Sequence, residues 1–293
     1  MFTYACASLV VAFTFVSSTA PFAGPSSLSA PQASWAVFSP AEEEIAMELP
    51  ARPTFRQYAA PAPMVRNKQQ QEAVLDHREY GGFGNGLIYI IESFKAERPE
   101  KLSENYLNLS DPLEVFERQL FFDGITARQY RRSEGSKVMT YTRRRLRFTT
   151  GSHLYVITMA TDKEDSAAVE QLLSSIRLRK PGEPVTPTPA PEDMTPEPAY
   201  RAADVGRRVV IVWKQEPTYT EEARQKHVRG QVLLRAVFAA NGYVSGIVIT
   251  KGLEHGLTEK AIEAARNIRF FPALKDGKPV SLAMVLEYQF DLY

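Results

Sequence analysis

The sequence contains a single cysteine, Cys6, among its 293 residues. One cysteine cannot form an intrachain disulfide, and it cannot build a cysteine-rich metal site. No two histidines stand at metal-ligand spacing, and no His-Glu-x-x-His, G-x-S-x-G or complete G-x-G-x-x-G motif occurs. We therefore expect no catalytic residues, no metal and no cofactor, and we do not expect an enzyme.

An excess of charge of either sign is also lacking. The chain has 35 basic and 34 acidic residues, so its net charge is +1. This balance gives no support for a nucleic-acid partner or a membrane-surface patch. Hydrophobic residues make up 44% and charged residues 24% of the chain, which is typical of folded soluble protein, and the length allows two ordinary domains.

Residues 1–41 carry no charged side chain at all. The apolar run Phe2 to Val16 is followed by small polar residues, which is typical of a signal peptide. The run is about 15 residues long, whereas a membrane span needs roughly 20. We interpret residues 1–23 as a signal peptide or a short membrane anchor, and residues 24–34 as a disordered Ser/Pro-rich spacer. Either alternative predicts a protein of the periplasm or cell envelope.

Residues 35–179 are predicted to form an α+β domain built on an antiparallel sheet. Leu87 to Phe94 is typical of a strand, since it is β-branched and aromatic and follows glycines. The glycine-rich run 81–86 leads into this strand, so we interpret it as an Asn85-Gly86 turn and not as a phosphate-binding loop. Further strands are predicted at 35–40, 44–50, 125–130, 137–148 and 154–160, with turns at Glu134-Gly135 and Gly151-Ser152.

Two helices are predicted to pack on one face of this sheet. Ser110 is placed to cap the first, which would bury Leu113, Phe116 and Leu120. Asp165 is placed to cap the second, whose buried stripe would be Val169, Leu172, Leu173 and Ile176. With W-x-x-F-x-P at 35–40 and S-I-R-L at 175–178, the pattern resembles the PsbP/Mog1-like group. No functional residue is carried over from that resemblance.

A basic cluster lies in the same region. Arg143, Arg145 and Arg147 share one face of a predicted strand, and Arg131, Arg132 and Arg144 are close to them in the sequence. Such a cluster could bind an anionic glycan or a phosphate. The alternative, which we favour, is a solvated sheet face in a chain whose charges balance.

Residues 180–204 are predicted to be a proline-rich linker between two domains. Its prolines are Pro181, Pro184, Pro187, Pro189, Pro191, Pro196 and Pro198. Spaced prolines fix φ, remove hydrogen-bond donors and favour an extended polyproline II path. At roughly 3.1 Å per residue, ~20 residues would reach about 60 Å.

The last domain, residues 205–293, is predicted to contain two helices. Thr218 or Thr220 is placed to cap the first helix, which Gly230 would end. His227 is expected on the buried face of that helix, as a core or groove histidine. Thr258 is predicted to cap the second helix, whose apolar face is formed by Leu257, Ala261, Ala265 and Ile268.

Strands are predicted on either side of these helices. Asn241-Gly242 is typical of a type I′ hairpin turn between strands at 231–239 and 243–250. Asp276-Gly277 predicts another turn before a long final strand over 279–293. Alternate residues of that strand are all apolar and would face the core: Val280, Leu282, Met284, Leu286, Tyr288, Phe290 and Leu292.

The order of these features resembles the C-terminal domain of the TonB family. The family pattern is Y-x-x-x-A, a glycine, a D/N-G hairpin turn, an alanine-rich helix, an aromatic-x-Pro-Ala step and a D-G-K-P turn. The matching residues are Tyr219, Ala223, Gly230, Val232, Gly242, Val244, Ala261, Ala265, Phe270, Pro272, Ala273, Gly277, Pro279 and Phe290. Thr220 departs from the pattern, because proline is usual there. We expect the matched residues to determine the fold.

The resemblance implies a small sheet that binds an extended peptide of an outer-membrane protein along one edge. An edge strand offers unpaired N–H and C=O groups that an added strand satisfies. The final strand is the candidate, as that edge or as a homodimer contact, and its second face would contact the partner: Ser281, Ala283, Val285, Glu287, Gln289, Asp291 and Tyr293. The alternative is that this strand only closes the sheet.

Three functions remain possible from sequence. The first is a TonB-like transducer of energy for transmembrane transport, although residues 1–41 lack the charged and histidine residues by which such proteins couple to a motor. The second is an exported adaptor or glycan- or protein-binding module without a motor. The third, an enzyme, has no motif in its favour.

Overall fold

The computed structural model describes residues 35–58, 74–102, 113–135, 139–163, 166–189 and 198–291. The described chain divides into two compact units, one within residues 32–192 and the other within residues 193–293. The predicted signal peptide or anchor (1–23), the Ser/Pro spacer (24–34) and the predicted caps Ser110 and Asp165 lie outside the described residues.

The first unit is built on a seven-stranded antiparallel sheet with the strand order β3-β4-β5-β9-β8-β7-β6. Its strands are β3 (Thr54–Tyr58), β4 (Asp76–Gly84), β5 (Leu87–Lys95), β6 (Val115–Phe122), β7 (Ile125–Gly135), β8 (Thr140–Thr149) and β9 (His153–Thr161). A smaller sheet has the order β1-β2-β10 and consists of β1 (Ala36–Phe38), β2 (Ile45–Leu49) and β10 (Arg177–Leu178). Helix α1 (Ala167–Ser175) also belongs to the unit, and residues 99–102 are helical.

The main core of this unit lies between one sheet face, the small sheet and α1. Met47 of β2, Tyr155 of β9 and Leu172 of α1 are all buried in it. A second cluster, which includes Phe94 and Val156, covers part of the opposite face. Because both faces are covered there, β5 is buried over eight of its nine residues, which explains its nearly continuous apolar sequence.

The prediction of a helix that buries Leu113, Phe116 and Leu120 is wrong, because this region forms strand β6. Leu120 packs on the core as a strand residue, whereas Phe116 is exposed. Leu113 precedes the strand, and a β-bulge between Phe116 and Arg118 places Phe116 and Leu120 on opposite faces of the sheet. The spacing of these three residues therefore does not mark one buried face. The strand is joined to β7 by an Asp123-Gly124 turn with φ of 47° and 79°, which the sequence analysis did not predict.

The interpretation of the arginine cluster as a solvated sheet face is also wrong. The Glu114 carboxylate lies 2.9 Å from guanidinium nitrogens of both Arg145 and Arg147, and Arg147 is only 3% exposed. Arg143 pairs with Glu134 at 3.2 Å. The arginines therefore belong to a largely buried ion-pair network.

The predicted linker has described residues at both ends. Thr186 N donates to Ser39 O at 2.8 Å, within the first unit. Residues 198–207 lie on the second unit, where Leu274 N donates to Arg207 O at 2.8 Å. Residues 190–197 lie outside the described part of the chain.

The second unit contains a three-stranded antiparallel sheet with the order β13-β12-β17. The strands of the whole unit are β11 (Val210–Trp213), β12 (Gly230–Phe238), β13 (Val244–Lys251), β14 (Arg269–Phe271), β15 (Ala273–Lys275), β16 (Lys278–Val280) and β17 (Leu282–Phe290). Strands β11 and β14 pair with each other, as do β15 and β16. The helices are α2 (Glu221–Gln225) and α3 (Leu257–Arg266).

Helix α3 packs on one face of the three-stranded sheet. Its alanines Ala261 and Ala265 are fully buried and let the helix approach Leu234 and Tyr288 of the sheet core. Phe270, from the strand after α3, closes this core with its ring centroid 4.7 Å from that of Phe238. The unit thus has its own hydrophobic core.

Four local predictions in this unit are wrong. Helix α2 ends at Gln225, and His227 is exposed with a left-handed φ of 52°, so it is not a core or groove histidine and Gly230 does not end the helix. Gly256, with φ of 79°, is the N-cap of α3 in place of Thr258. At the β12–β13 turn only Gly242 has positive φ, so the turn is not type I′.

The predicted final strand over 279–293 is divided in two. Lys278–Val280 pairs in a hairpin with β15 through the predicted Asp276-Gly277 turn, and Leu282–Phe290 joins the main sheet as β17. The predicted alternation is confirmed in β17, where Leu282, Leu286, Tyr288 and Phe290 are buried and Met284 is partly buried. Leu292 and Tyr293 lie outside the described residues.

Candidate functional site

Strand β17 is an edge strand of its sheet. Among the strands of the described residues it pairs with β12 alone, in a regular antiparallel register from Phe290↔Gly230 to Leu282↔Phe238. No bulge interrupts this register. The side of β17 that faces away from β12 is therefore straight over nine residues, which suits it to accept another strand.

Tyr200 closes one end of this edge. Its backbone N–H donates to Ser281 O at 2.8 Å, and its carbonyl accepts from Ala283 N at 3.0 Å, as a parallel bridge. Ala283 therefore directs its backbone groups away from β12. Since this direction alternates along a strand, the next residues that point outward are Val285, Glu287 and Gln289, followed by Asp291.

The seven residues predicted to contact a partner are thus placed differently from one another. Ser281 is buried, its hydroxyl accepts from Ala240 N at 3.0 Å, and its carbonyl is bonded to Tyr200. Ala283 is likewise bonded to Tyr200. Val285 is 52% exposed, and Glu287, Gln289 and Asp291 are half-buried along the open edge. The open edge, as we use the term below, is the stretch Val285–Asp291.

The segment 214–219 lies over the core-side residues of the open edge. The Lys214 ammonium lies 4.6 Å from the ring centroid of Tyr288, and the Tyr219 ring meets Phe290 edge-on at 5.7 Å. Burial lowers the pKa of Lys214, partly offset by Glu216 and Glu287, which raise it. An added strand would therefore meet both a cation and carboxylates beside Tyr288.

Sequence reasoning missed Tyr200 and Lys214. Tyr200 acts through backbone groups, which any residue type supplies, so nothing in its identity signals the bridge. Lys214 is a single lysine after a short apolar run, and only the fold brings it over Tyr288. The signals for the site in the sequence were the resemblance to the TonB family and the alternating pattern of the final strand.

The residues matched to the family pattern support the fold behind this edge. Ala223, Phe270 and Ala273 are fully buried, and Pro272 is buried between β14 and β15. The Tyr219 hydroxyl donates to Val228 O, which fixes its ring against the end of β17.

The three matched glycines occupy left-handed or extended positive-φ conformations, with φ of 140° at Gly230, 89° at Gly242 and 75° at Gly277. A side chain at Gly230 would also meet Leu253, whose Cδ2 would be 3.1 Å from the added Cβ. Glycine is therefore required at Gly230 both by the backbone and by the close approach.

The described residues contain no group of three or more His, Cys, Asp or Glu side chains that could hold a metal ion. In the same part of the chain, none of the helices has the length and apolar character needed to cross a membrane.

Residues 215–292 match the family model described as "Gram-negative bacterial TonB protein C-terminal". This part of the chain is a TonB C-terminal domain. It includes the whole of the open edge, whereas Tyr200 and Lys214 precede the matched range. A domain of this family is a protein-interaction module and not a catalytic one, and the family points to the periplasm or cell envelope.

Several solved structures are similar to parts of the chain. The solution structure of the TonB C-terminal domain of Pseudomonas aeruginosa is 17% identical, with a TM-score of 0.27, and the match covers 32% of this chain and 93% of that one. A crystal structure of a Bacteroides thetaiotaomicron protein is 12% identical, with a TM-score of 0.31, over 62% of this chain and 53% of that one. The comparison with curated proteins found no match.

Proposed function

We propose that the TonB domain binds an extended segment of an envelope protein by adding it as a strand to the open edge of β17. The single observation that carries this proposal is that Val285, Glu287 and Gln289 direct their backbone groups away from β12, beyond the point where Tyr200 closes the edge. An incoming strand satisfies these groups and gains one pair of main-chain hydrogen bonds every second residue.

The side chains along the open edge would select the segment. On the core side, an added strand would lie beside Lys214 and Tyr219. On the other face it would lie beside Val285, which is exposed, and Glu287, which accepts from Gln231 at 2.7 Å. Main-chain bonds supply affinity without sequence preference, so these four side chains are the source of specificity.

Site-directed crosslinking in the cell envelope tests this proposal. The chain contains one cysteine, Cys6, so a variant with Cys6→Ser is a clean background for Gln289→Cys on the open edge. Lys251→Cys, on the opposite edge of the same sheet, is the matched control. We expect crosslinks to a second protein from position 289 and not from position 251.

Equal crosslinking from both positions, or none from position 289 in a folded chain, would contradict strand addition at β17. A crosslinked product with twice the mass of the chain would show that a second copy occupies the edge, as in a homodimer.

Coupling to transport is a separate part of the proposal. The TonB domain is compatible with an energy transducer and equally with an adaptor that has no motor. Sequencing the N-terminus of the mature protein separates the two. A form that is cleaved between residues 18 and 23 and released from the membrane excludes the transducer. A membrane-bound, uncleaved form excludes the soluble adaptor.

A further inference from the structure

The first unit carries a second surface, on the face of its large sheet opposite the main core. At the sheet edge, Leu120 and Phe122 of β6 pack towards the core, so Gln119 and Phe121 lie on the opposite face. The bulge brings Phe116 to this same face, where its ring meets Tyr130 of β7 at 5.9 Å. We call this surface, formed by Phe116, Gln119, Phe121, Arg128 and Tyr130, the β6–β7 face.

The Phe116 and Phe121 rings of the β6–β7 face are exposed, and the Phe116 ring is in contact with Tyr130. Phe121 is 73% exposed and Phe116 is 52% exposed. Tyr130 contacts Phe116 edge-on, and the Arg147 guanidinium lies 4.9 Å from its ring centroid. Arg147 is in turn held by Glu114 at 2.9 Å. Large aromatic side chains exposed together on a sheet face are typical of an interaction site.

The β6–β7 face is also positively charged. Arg128 is exposed between Gln119 and Arg147 on adjacent strands. Arg132, Arg143, Arg145 and Arg147 lie on the same side of β7 and β8 and form ion pairs with Glu114 or Glu134. The exposed guanidinium of Arg128 favours an anionic ligand.

Two other occupants fit less well. The bulge between Phe116 and Arg118 interrupts the register of β6, which opposes the addition of a strand at this edge. A lipid surface would require the β6–β7 turn to insert, but Asp123 at that turn carries a carboxylate and accepts from Leu178 N at 2.8 Å, which ties the turn to β10.

We propose that the β6–β7 face binds an anionic polysaccharide. The exposed rings of Phe116 and Phe121 would stack on the apolar C–H faces of sugar rings. Arg128 and Gln119, which lie between them, would donate to carboxylate and hydroxyl oxygens of the glycan. This site is independent of strand addition in the TonB domain.

Binding of the full chain to alginate, a polyuronate, tests this inference, with dextran as the uncharged glycan. We expect alginate to bind, dextran to bind much more weakly, and the affinity for alginate to fall as ionic strength rises. Phe121→Ser and Arg128→Gln should each weaken alginate binding about 3- to 10-fold. Val37→Ser, which changes another exposed apolar side chain of the same unit, should leave it unchanged.

Because Phe121 and Arg128 are exposed, neither substitution should impair folding, and the far-UV circular dichroism of each variant checks this. Absence of alginate binding, or the same affinity in both variants as in the unmodified chain, would overturn the proposal. Equal binding of dextran would overturn the anionic part of it. Binding to phosphatidylglycerol vesicles without binding to alginate would assign the face to lipid instead.

Discussion

At the residue scale, Thr220 shows how one departure from the family pattern is accommodated. Its hydroxyl accepts from Ala223 N at 3.1 Å as the N-cap of α2, and donates to His255 O at 2.6 Å. Proline, which is usual there in the family, has no hydroxyl and could make neither bond. Thr220 thus joins α2 to the turn before α3.

Substitution of Thr220 by alanine should therefore lower the free energy of unfolding of the second unit by about 1 kcal/mol, within the roughly 0.5–2 kcal/mol range for lost N-caps. Urea denaturation measures the change. Thr218→Ala is the matched control and should change stability by less than about 0.5 kcal/mol. Equal effects of the two substitutions would contradict the capping role.

The carboxyl group of Glu44 should make the stability of the first unit depend on pH. Burial alone would raise its pKa, but hydrogen bonds from Thr150 and Ser152 and the nearby His153 outweigh burial and lower the pKa below 4.5. A carboxyl whose pKa is lower in the folded state stabilises that state above its unfolded pKa, and the stabilisation is lost as pH falls through the folded pKa. Glu44 should therefore stabilise the first unit at neutral pH and progressively less below about pH 4.5.

The Glu44→Gln variant tests this expectation. Its thermal midpoint should lie below that of the unmodified chain at pH 7, and the difference should shrink as pH falls below about 4.5. Glu97→Gln, at an exposed position of the same unit, should show no such dependence. A difference between Glu44→Gln and the unmodified chain that stays constant from pH 7 to pH 3 would contradict the account.

At the element scale, the close packing of α3 on the sheet depends on small side chains. Ala261 is fully buried where α3 packs on the sheet. Ala261→Leu should therefore destabilise the second unit by about 1–3 kcal/mol through overpacking. Glu259→Leu, on the exposed face of α3, is the control and should change stability little. Denaturant unfolding measures both, and a neutral Ala261→Leu would show that α3 does not pack as described.

Strands and turns were predictable from sequence where local signals agreed. The β-branched and aromatic run in β5 and the Asn85-Gly86 turn are confirmed, because strand propensity and left-handed turn residues both act locally. Strand β6 was not predictable, since its apolar residues lie on both faces of the sheet and do not alternate with polar ones. Only pairing with β7 decides between helix and strand for such a sequence.

For the candidate site, the sequence predicted which strand would be involved but not its usable length. Alternation along 280–292 separates a buried face from an exposed one, and β17 has that alternation. Closure of the Ser281 end by Tyr200 depends on backbone groups some 80 residues away in the chain. The ion pairs of Glu114 likewise join arginines that are distant in sequence, so charge balance could not reveal them.

At the scale of the whole molecule, the boundary of the TonB domain leads to a further prediction. Residues 198–293 include Tyr200 and the core around α3, so this fragment should fold alone with a single cooperative unfolding transition. A fragment of residues 205–293 lacks both Tyr200 bonds and should be about 1–3 kcal/mol less stable. Equal stability would show that Tyr200 is not part of the domain.

The central claim is that β17 has an open edge that receives a partner strand. Residue-resolved amide hydrogen exchange of the full chain, before and after addition of the crosslinking partner, tests it most directly. In the free chain, the amides of Val285, Glu287 and Gln289 should exchange quickly, whereas the amides of Leu286 and Tyr288, which face β12, should be protected. When the partner binds, the amides of Val285, Glu287 and Gln289 should become protected as well. Uniform protection of β17 in the free chain, or no change at these three amides on binding, would contradict the claim.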